Sequence, residues 1–130
     1  MDRESQEVNH LFTYGTLMVE EIFLTVTGQK FSSSSAYIMG YQRYQVRNKN
    51  YPGIVLDNGM VSGQLYFYLP PEIIKLIDAY EGDEYQRIKV EAFANPTGVF
   101  TAWCYLYKTE ENLFKQPWSL EWYGQQINSQ

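Results

Sequence analysis

The chain has 130 residues, 45% of them hydrophobic and 19% charged, with a formal net charge of −5. That is enough apolar material for one core in a single domain. An acidic chain has no electrostatic pull toward phosphate backbones or anionic lipid, so nucleic acid and membrane surfaces are excluded as first choices of partner. No uninterrupted apolar run is long enough to span a bilayer.

The first residues, MDRESQEVNH, are polar and mixed in charge, unlike a secretory signal. Cys104 is the only cysteine, so no intrachain disulfide can form and a reducing, cytoplasmic setting is expected. Aromatic residues reach 17%, with 12 Tyr, 7 Phe and 3 Trp. Most of them fit a β-rich core whose faces carry amphipathic rings.

In chain order, HLFTYGTL reads as a short strand entering a glycine turn, and MVEEIFLTVTG as a helix stopped by Gly28. Ser32 to Ser35 are expected in a loop, and AYIMGYQRYQV as a strand broken at Gly40. In YPGIVLDNGMVSGQLYFYL, Asn58-Gly59 is a hairpin signal between alternating runs, and Gly63 marks a bulge or sharp bend.

PPEIIKLIDAYEG carries proline at its start, Glu72 in its first turn, and an apolar stripe of Ile73, Ile74, Ile77 and Tyr80. This predicts a helix ending at Gly82. YQRIKVEAFA and VFTAWCYLY are two strands joined by the turn NPTG, and SLEWYGQQINSQ is a short helix capped by Ser119. The expected fold is therefore α+β, a mostly antiparallel sheet that curls into a small barrel flanked by short helices.

The chemistry must run on few residue types. His10 is the only histidine, and Cys104 falls mid-strand, where a small core residue is the better explanation. No P-loop, dinucleotide fingerprint or metal-ligand spacing is present, so no cofactor and no metal are expected. Two stretches remain.

Tyr14, Gly15, Thr16 and Leu17 lie where the first strand turns, and the amides of the last three suit an anion or carbonyl-oxygen cradle. Glu81 ends a helix whose last carbonyls repel it. Asp78, Asp83 and Glu84 are near in sequence, and Tyr80 and Tyr85 flank it. Like charge and exclusion of water push such a carboxyl upward, as a general base requires. Local sequence leaves two readings of Glu81 open: a solvated charge at a helix end, or the working group of a site.

The ordered set LFTYGTL, YPGIV, GQLYFY, LIDAYEGDEYQRIKVEA and a late LEWY resembles the gamma-glutamylcyclotransferase-like family. The closer resemblance is to its short branch of avirulence-induced-gene-like and gamma-glutamylamine cyclotransferase proteins, over about residues 11–123 of one domain spanning 1–130. That resemblance implies a small barrel with a cavity at one end. It also implies cleavage of a γ-glutamyl amide to 5-oxoproline and a free amine.

By the same resemblance Glu81 takes the catalytic position, and Tyr14, Gly15, Thr16 and Leu17 bind the glutamyl end. Tyr51 and Pro52 match a pocket-lining segment, and Tyr85 and Arg87 match the Tyr-x-Arg positions, with Arg87 expected to pair near the site. Thr16 stands where many members have serine, a mild change if the backbone amide is what matters.

The implied reaction needs no enzyme nucleophile, because the substrate's own α-amine attacks its γ-carbonyl. Two further classes stay open: a non-catalytic domain that binds a small carboxylate or amide, and a protein-interaction domain built on exposed tyrosines.

Overall fold

The computed structural model describes residues 9–94, 98–113 and 118–128. Five strands close a barrel in the order β1-β3-β2-β4-β5. They are β1 (Leu11–Thr13), β2 (Ser33–Gln45), β3 (Pro52–Tyr66), β4 (Tyr85–Ala94) and β5 (Gly98–Tyr107). Every neighbouring pair is antiparallel except β1 with β5, which close the barrel in parallel at Leu11 and Trp103. Inward-facing Phe12, Ile38, Ile54, Val61, Leu65 and Val90 fill the interior, and Ala92, Ala102 and Cys104 supply the small side chains that let a five-stranded barrel close.

Three helices decorate this barrel: α1 (Glu20–Thr27), α2 (Pro71–Glu81) and α3 (Leu120–Asn128). Gly28 ends α1 at φ +76, a left-handed value that glycine adopts without a Cβ penalty. In α2, Pro71 opens the first turn and Ile73, Ile74 and Ile77 are buried against Leu11, Tyr66 and Tyr105 on the barrel's outer surface. Phe23 of α1 joins that layer by stacking on Tyr66 at 3.7 Å. Gly82 stops α2 at φ +81 and donates its N–H to the Asp78 carbonyl. Ser119 Oγ accepts the Trp122 N–H at 3.1 Å, the expected cap of α3. No helix among the described residues is long and apolar enough to cross a membrane.

Four expectations are corrected. Ser33 to Ser35 are not loop: they open β2, opposite Tyr66, Leu65 and Gln64. Asn58-Gly59 is not a hairpin turn, because β3 runs through it, and the register with β2 shifts there between Met39 and Tyr41. The extra residues form a bulge facing Gly40, and Gly59 is required because a Cβ would fall on Gln42 and the Tyr41 carbonyl. The true β2–β3 turn is residues 46–51, closed by the Val46 N–H to the Tyr51 carbonyl, with Asn48 at φ +62.

Gly63 keeps its register opposite Ala36, so it is no bulge. Its bare Cα lets β1 approach, since a Cβ would meet the Thr13 carbonyl and the Phe12 ring. Tyr80 leaves the apolar stripe of α2 and stays 48% exposed. Of the NPTG turn, residues 95–97 lie outside the described residues.

Candidate functional site

β1 ends at Thr13, and the chain turns through Tyr14 and Gly15 into a short 3-10 turn, Thr16–Met18. The Tyr14 ring points into the barrel and its hydroxyl donates to the Tyr105 carbonyl at 2.6 Å. Gly15 lies against Pro52: an added Cβ would come within 3.2 Å of the proline ring. Leu17 is buried, and its carbonyl accepts the Tyr66 hydroxyl at 2.9 Å. The turn's own donors begin with Met18 N–H to Gly15 and Val19 N–H to Thr16. The amides of Gly15, Thr16 and Leu17 precede them and are not consumed by the turn.

Arg43 secures this segment from β2, donating from Nη1 to the Tyr14 carbonyl at 2.8 Å and to the Ser62 carbonyl at 3.2 Å. The end of α2 meets the same turn, with Thr16 Oγ1 and the Tyr80 hydroxyl 3.2 Å apart. One cavity is thereby lined by Tyr14–Leu17, Pro52, Tyr80, Glu81, Tyr85 and Tyr105, with Phe12 and Thr13 completing its wall.

Glu81 is half-buried in that wall, and no hydrogen bond or ion pair engages its carboxylate among the described residues. Burial, with the nearby Asp78 charge second, raises its carboxyl from 4.5 to about 7. Asp83 and Glu84, expected to add like charge, are instead exposed. Glu84 accepts the hydroxyls of Tyr51 at 2.7 Å and Tyr107 at 3.1 Å. Burial also pushes the Tyr14, Tyr85 and Tyr105 hydroxyls up, and the Glu81 charge adds to the rise in all three. These phenols are therefore neutral donors around one carboxylate.

The structure brings Tyr14, Gly15, Thr16, Leu17, Pro52, Glu81 and Tyr85 to one cavity; Tyr85 donates to the Pro52 carbonyl at 2.7 Å. Tyr51 and Arg87 are not in its lining. Tyr51 holds Glu84, while Arg87 Nε donates to Asp78 Oδ1 at 3.0 Å, the pairing near the site expected of it. Asp78 Oδ1 also accepts the Tyr105 hydroxyl at 2.7 Å. Tyr105 and Arg43 escaped the sequence reading. The only local signal for Tyr105 is its place in the alternation of TAWCYLY, and its site role emerges from the register that sets it opposite Arg87.

Cys104 is fully buried in the barrel core, its thiol pushed up by burial, whereas His10 packs against Phe67, Tyr68 and Phe100. Among the described residues no group of three or more His, Cys, Asp or Glu is placed to hold a metal ion.

Comparison with known proteins bears on the fold and the family. Residues 11–123 match the family described as gamma-glutamyl cyclotransferase, AIG2-like. AIG2-like protein B of Arabidopsis thaliana is 28% identical over 89 residues, 68% of this chain and 52% of that protein. AIG2-like protein C of the same plant is 30% identical over 88 residues, 67% of this chain and 51% of that protein. The chain thus spans about half the length of the curated relatives it matches.

Among solved structures, an Arabidopsis thaliana protein determined in solution superposes with a TM-score of 0.76 at 20% identity, covering 95% of this chain and 76% of that one. A gamma-glutamyl cyclotransferase superposes at 0.68 with 16% identity, covering 83% of this chain and 69% of the other. A mouse AIG2-like protein superposes at 0.63 with 18% identity, covering 87% and 86%. At such identities the structural likeness establishes the fold, a small α+β barrel flanked by helices. With most of its length, from the first strand to the last helix, matched by one family, the chain belongs to the gamma-glutamyl cyclotransferase, AIG2-like family.

Proposed function

We propose that this chain is a γ-glutamylcyclotransferase that splits a γ-glutamyl amide into 5-oxoproline and a free amine, with Glu81 as general acid and base. The observation that carries this reading is Glu81 itself: a half-buried carboxyl raised to about 7, without a side-chain partner among the described residues, on the same wall as residues 15–17. A carboxylate left at its ordinary value would be too weak a base for an ammonium group, and one poised near neutrality can both take and return a proton.

In the proposed reaction the substrate's γ-glutamyl arm curls within the cavity. Glu81 takes a proton from the α-ammonium group, and the freed lone pair attacks the γ-carbonyl carbon. The tetrahedral oxyanion or the α-carboxylate rests on the amides of Gly15, Thr16 and Leu17, donors of the kind whose loss typically costs roughly 10²–10³ in rate. The bond to the leaving nitrogen then breaks as Glu81 returns the proton to it. The ring nitrogen gives up its second proton through Glu81 to the freed amine, which leaves as an ammonium ion, and the neutral five-membered lactam departs. Holding both reacting ends of one molecule together supplies an effective molarity of about 10⁵ M or more. The reaction calls for no cofactor and suits a cytoplasmic setting.

A binding domain without turnover is the competing reading, but it assigns no task to an unpaired carboxyl raised at a desolvation cost. Assay of the purified protein against a panel of γ-glutamyl amines and γ-glutamyl amino acids for 5-oxoproline release decides between them. Turnover that disappears in Glu81→Gln, with substrate binding retained, is the expected result. An active Glu81→Gln protein removes Glu81 as the base, and a panel that is bound but never cleaved removes the enzyme.

A further inference from the structure

The cavity that holds Glu81 has, among the described residues, no cationic side chain in its lining. A γ-glutamyl compound brings an α-carboxylate of its own, so two acidic groups would share a wall of neutral donors. Enclosing an anion without compensating charge is costly. A cation bonded to that wall from behind can supply the compensation, and Arg43 is so placed.

Arg43 lies on β2, half-buried and outside the lining. Its Nη1 donates to the Tyr14 carbonyl at 2.8 Å and to the Ser62 carbonyl at 3.2 Å, and its guanidinium carbon is 5.7 Å from the Trp118 ring centroid. No carboxylate pairs with it among the described residues, whereas Arg87 is bound to Asp78 at 3.0 Å. Burial lowers the pKa of Arg43, yet an arginine titrates so far above neutrality that it stays charged. Two carbonyls and a ring thus stand where a part-buried guanidinium would ordinarily find an acid. Its charge is felt undiminished by the groups it bonds.

The Tyr14 carbonyl and the Gly15 N–H are two ends of one planar peptide group and point in opposite directions. With the oxygen on Arg43, the N–H faces away from it, and Gly15 lines the cavity. No acceptor among the described residues takes that N–H. A cation on the oxygen draws electron density along the group and makes the N–H a stronger donor, as in hydrogen-bond chains that strengthen by about 10–30% per bond.

The group is also held in direction. The Tyr14 hydroxyl is anchored on the Tyr105 carbonyl at 2.6 Å, and Gly15 rests against Pro52. Carrying the charge in through the main chain has a further effect. A guanidinium inside the cavity would pair with Glu81 and pull its carboxyl down, whereas one behind the turn leaves that carboxyl raised.

We propose that Arg43 is a positioning residue for the anionic end of the substrate: its charge, relayed through the Tyr14–Gly15 peptide, makes the Gly15 N–H select a carboxylate over an uncharged group. This rests on the γ-glutamyl reading of the cavity, whose product, 5-oxoproline, carries that carboxylate.

The test is an NMR titration of the whole chain with 5-oxoproline and with its uncharged amide, in the wild type, Arg43→Gln and Arg43→Lys. Both variants keep a donor for the Tyr14 carbonyl, and lysine alone keeps the charge. The wild type is expected to bind 5-oxoproline about tenfold more tightly than the amide, with the Gly15 amide proton among those that move most. Arg43→Gln should reduce the preference to about twofold or less and shift the free protein's Gly15 amide proton upfield, while Arg43→Lys keeps most of both.

An arginine of purely structural use would weaken both ligands alike. A preference intact in Arg43→Gln therefore overturns the proposal, as does a loss in Arg43→Lys equal to that in Arg43→Gln. No preference, or no binding, in the wild type overturns it without recourse to any variant. The γ-glutamyl reading fails separately: a preference lost in Arg43→Gln, in a protein that releases no 5-oxoproline from any γ-glutamyl amide, removes the enzyme and keeps the role of Arg43. Turnover beside an intact preference in Arg43→Gln does the reverse.

Discussion

Asp78 stands three residues before Glu81 on α2, and the two carboxyl groups are put to different uses. The Asp78 side chain accepts both the Arg87 Nε–H and the Tyr105 hydroxyl through one oxygen, whereas Glu81 has no such partners among the described residues and is raised to about 7. A charge-paired acid one turn away therefore helps tune an unpaired one.

Replacing Asp78 with Asn removes the nearby negative charge and leaves Arg87 without a carboxylate. Both changes favour ionised Glu81, so its pKa falls below 7. It stays above 4.5, because burial is the larger cause of the rise. Carboxyl-carbon NMR across pH 4–9 reads this directly. A Glu81 that titrates unchanged in Asp78→Asn would remove Asp78 as a cause. If Glu81 is the base, the acid limb of kcat/KM should move to lower pH by the same interval.

The raised Glu81 carboxyl also links folding to pH. Its folded-state pKa exceeds its unfolded one, so the native state holds this proton more tightly. The stability it confers is full below about 4.5, declines as pH rises toward about 7, and is flat above. A shift from 4.5 to about 7 corresponds to roughly 3 kcal/mol. Glu81→Gln cannot ionise, so it should match the wild type near pH 4 and exceed its unfolding free energy by up to about that amount at pH 8. Urea titrations at the two pH values measure it; an equal difference at both would contradict a desolvated carboxyl.

Gly63 is predicted to be intolerant of any side chain. A Cβ there would fall on the Thr13 carbonyl and the Phe12 ring, both fixed by the barrel. Gly63→Ala should cost at least about 2 kcal/mol through overpacking, whereas Gly124→Ala, inside α3 and with nothing within 4 Å of the added Cβ, should gain up to about 1 kcal/mol from helix propensity. Thermal unfolding of the two variants provides the comparison, and equal midpoints would mean that β1 does not press on Gly63.

Much of this structure was legible because local chemistry and tertiary structure agree. Gly28 and Gly82 stop helices at positive φ, Pro71 opens α2, and Ser119 caps α3, so each boundary follows from one residue's preference. The Asn58-Gly59 signal misled because the same residues serve equally in a bulge, and the partner strand alone decides between bulge and turn. Ser33 to Ser35 have poor strand propensity and are strand because Tyr66, Leu65 and Gln64 pair with them.

For the site, Glu81 and the Tyr14–Leu17 turn announce themselves by their positions at element ends. Arg43 and Tyr105 do not, since each acts through a carbonyl contact that joins residues 29 and 91 positions apart.

The hydroxyl of Tyr14 reaching the carbonyl of Tyr105 has a consequence for how the molecule comes into being. The opening strand finds one neighbour at residues 64–66 and the other only at residue 103, so a growing polypeptide cannot seat it until the fifth strand has emerged. Contacts of such long sequence separation are slow to form. The carboxyl and the turn it faces therefore come into register together, late, in a single closing event.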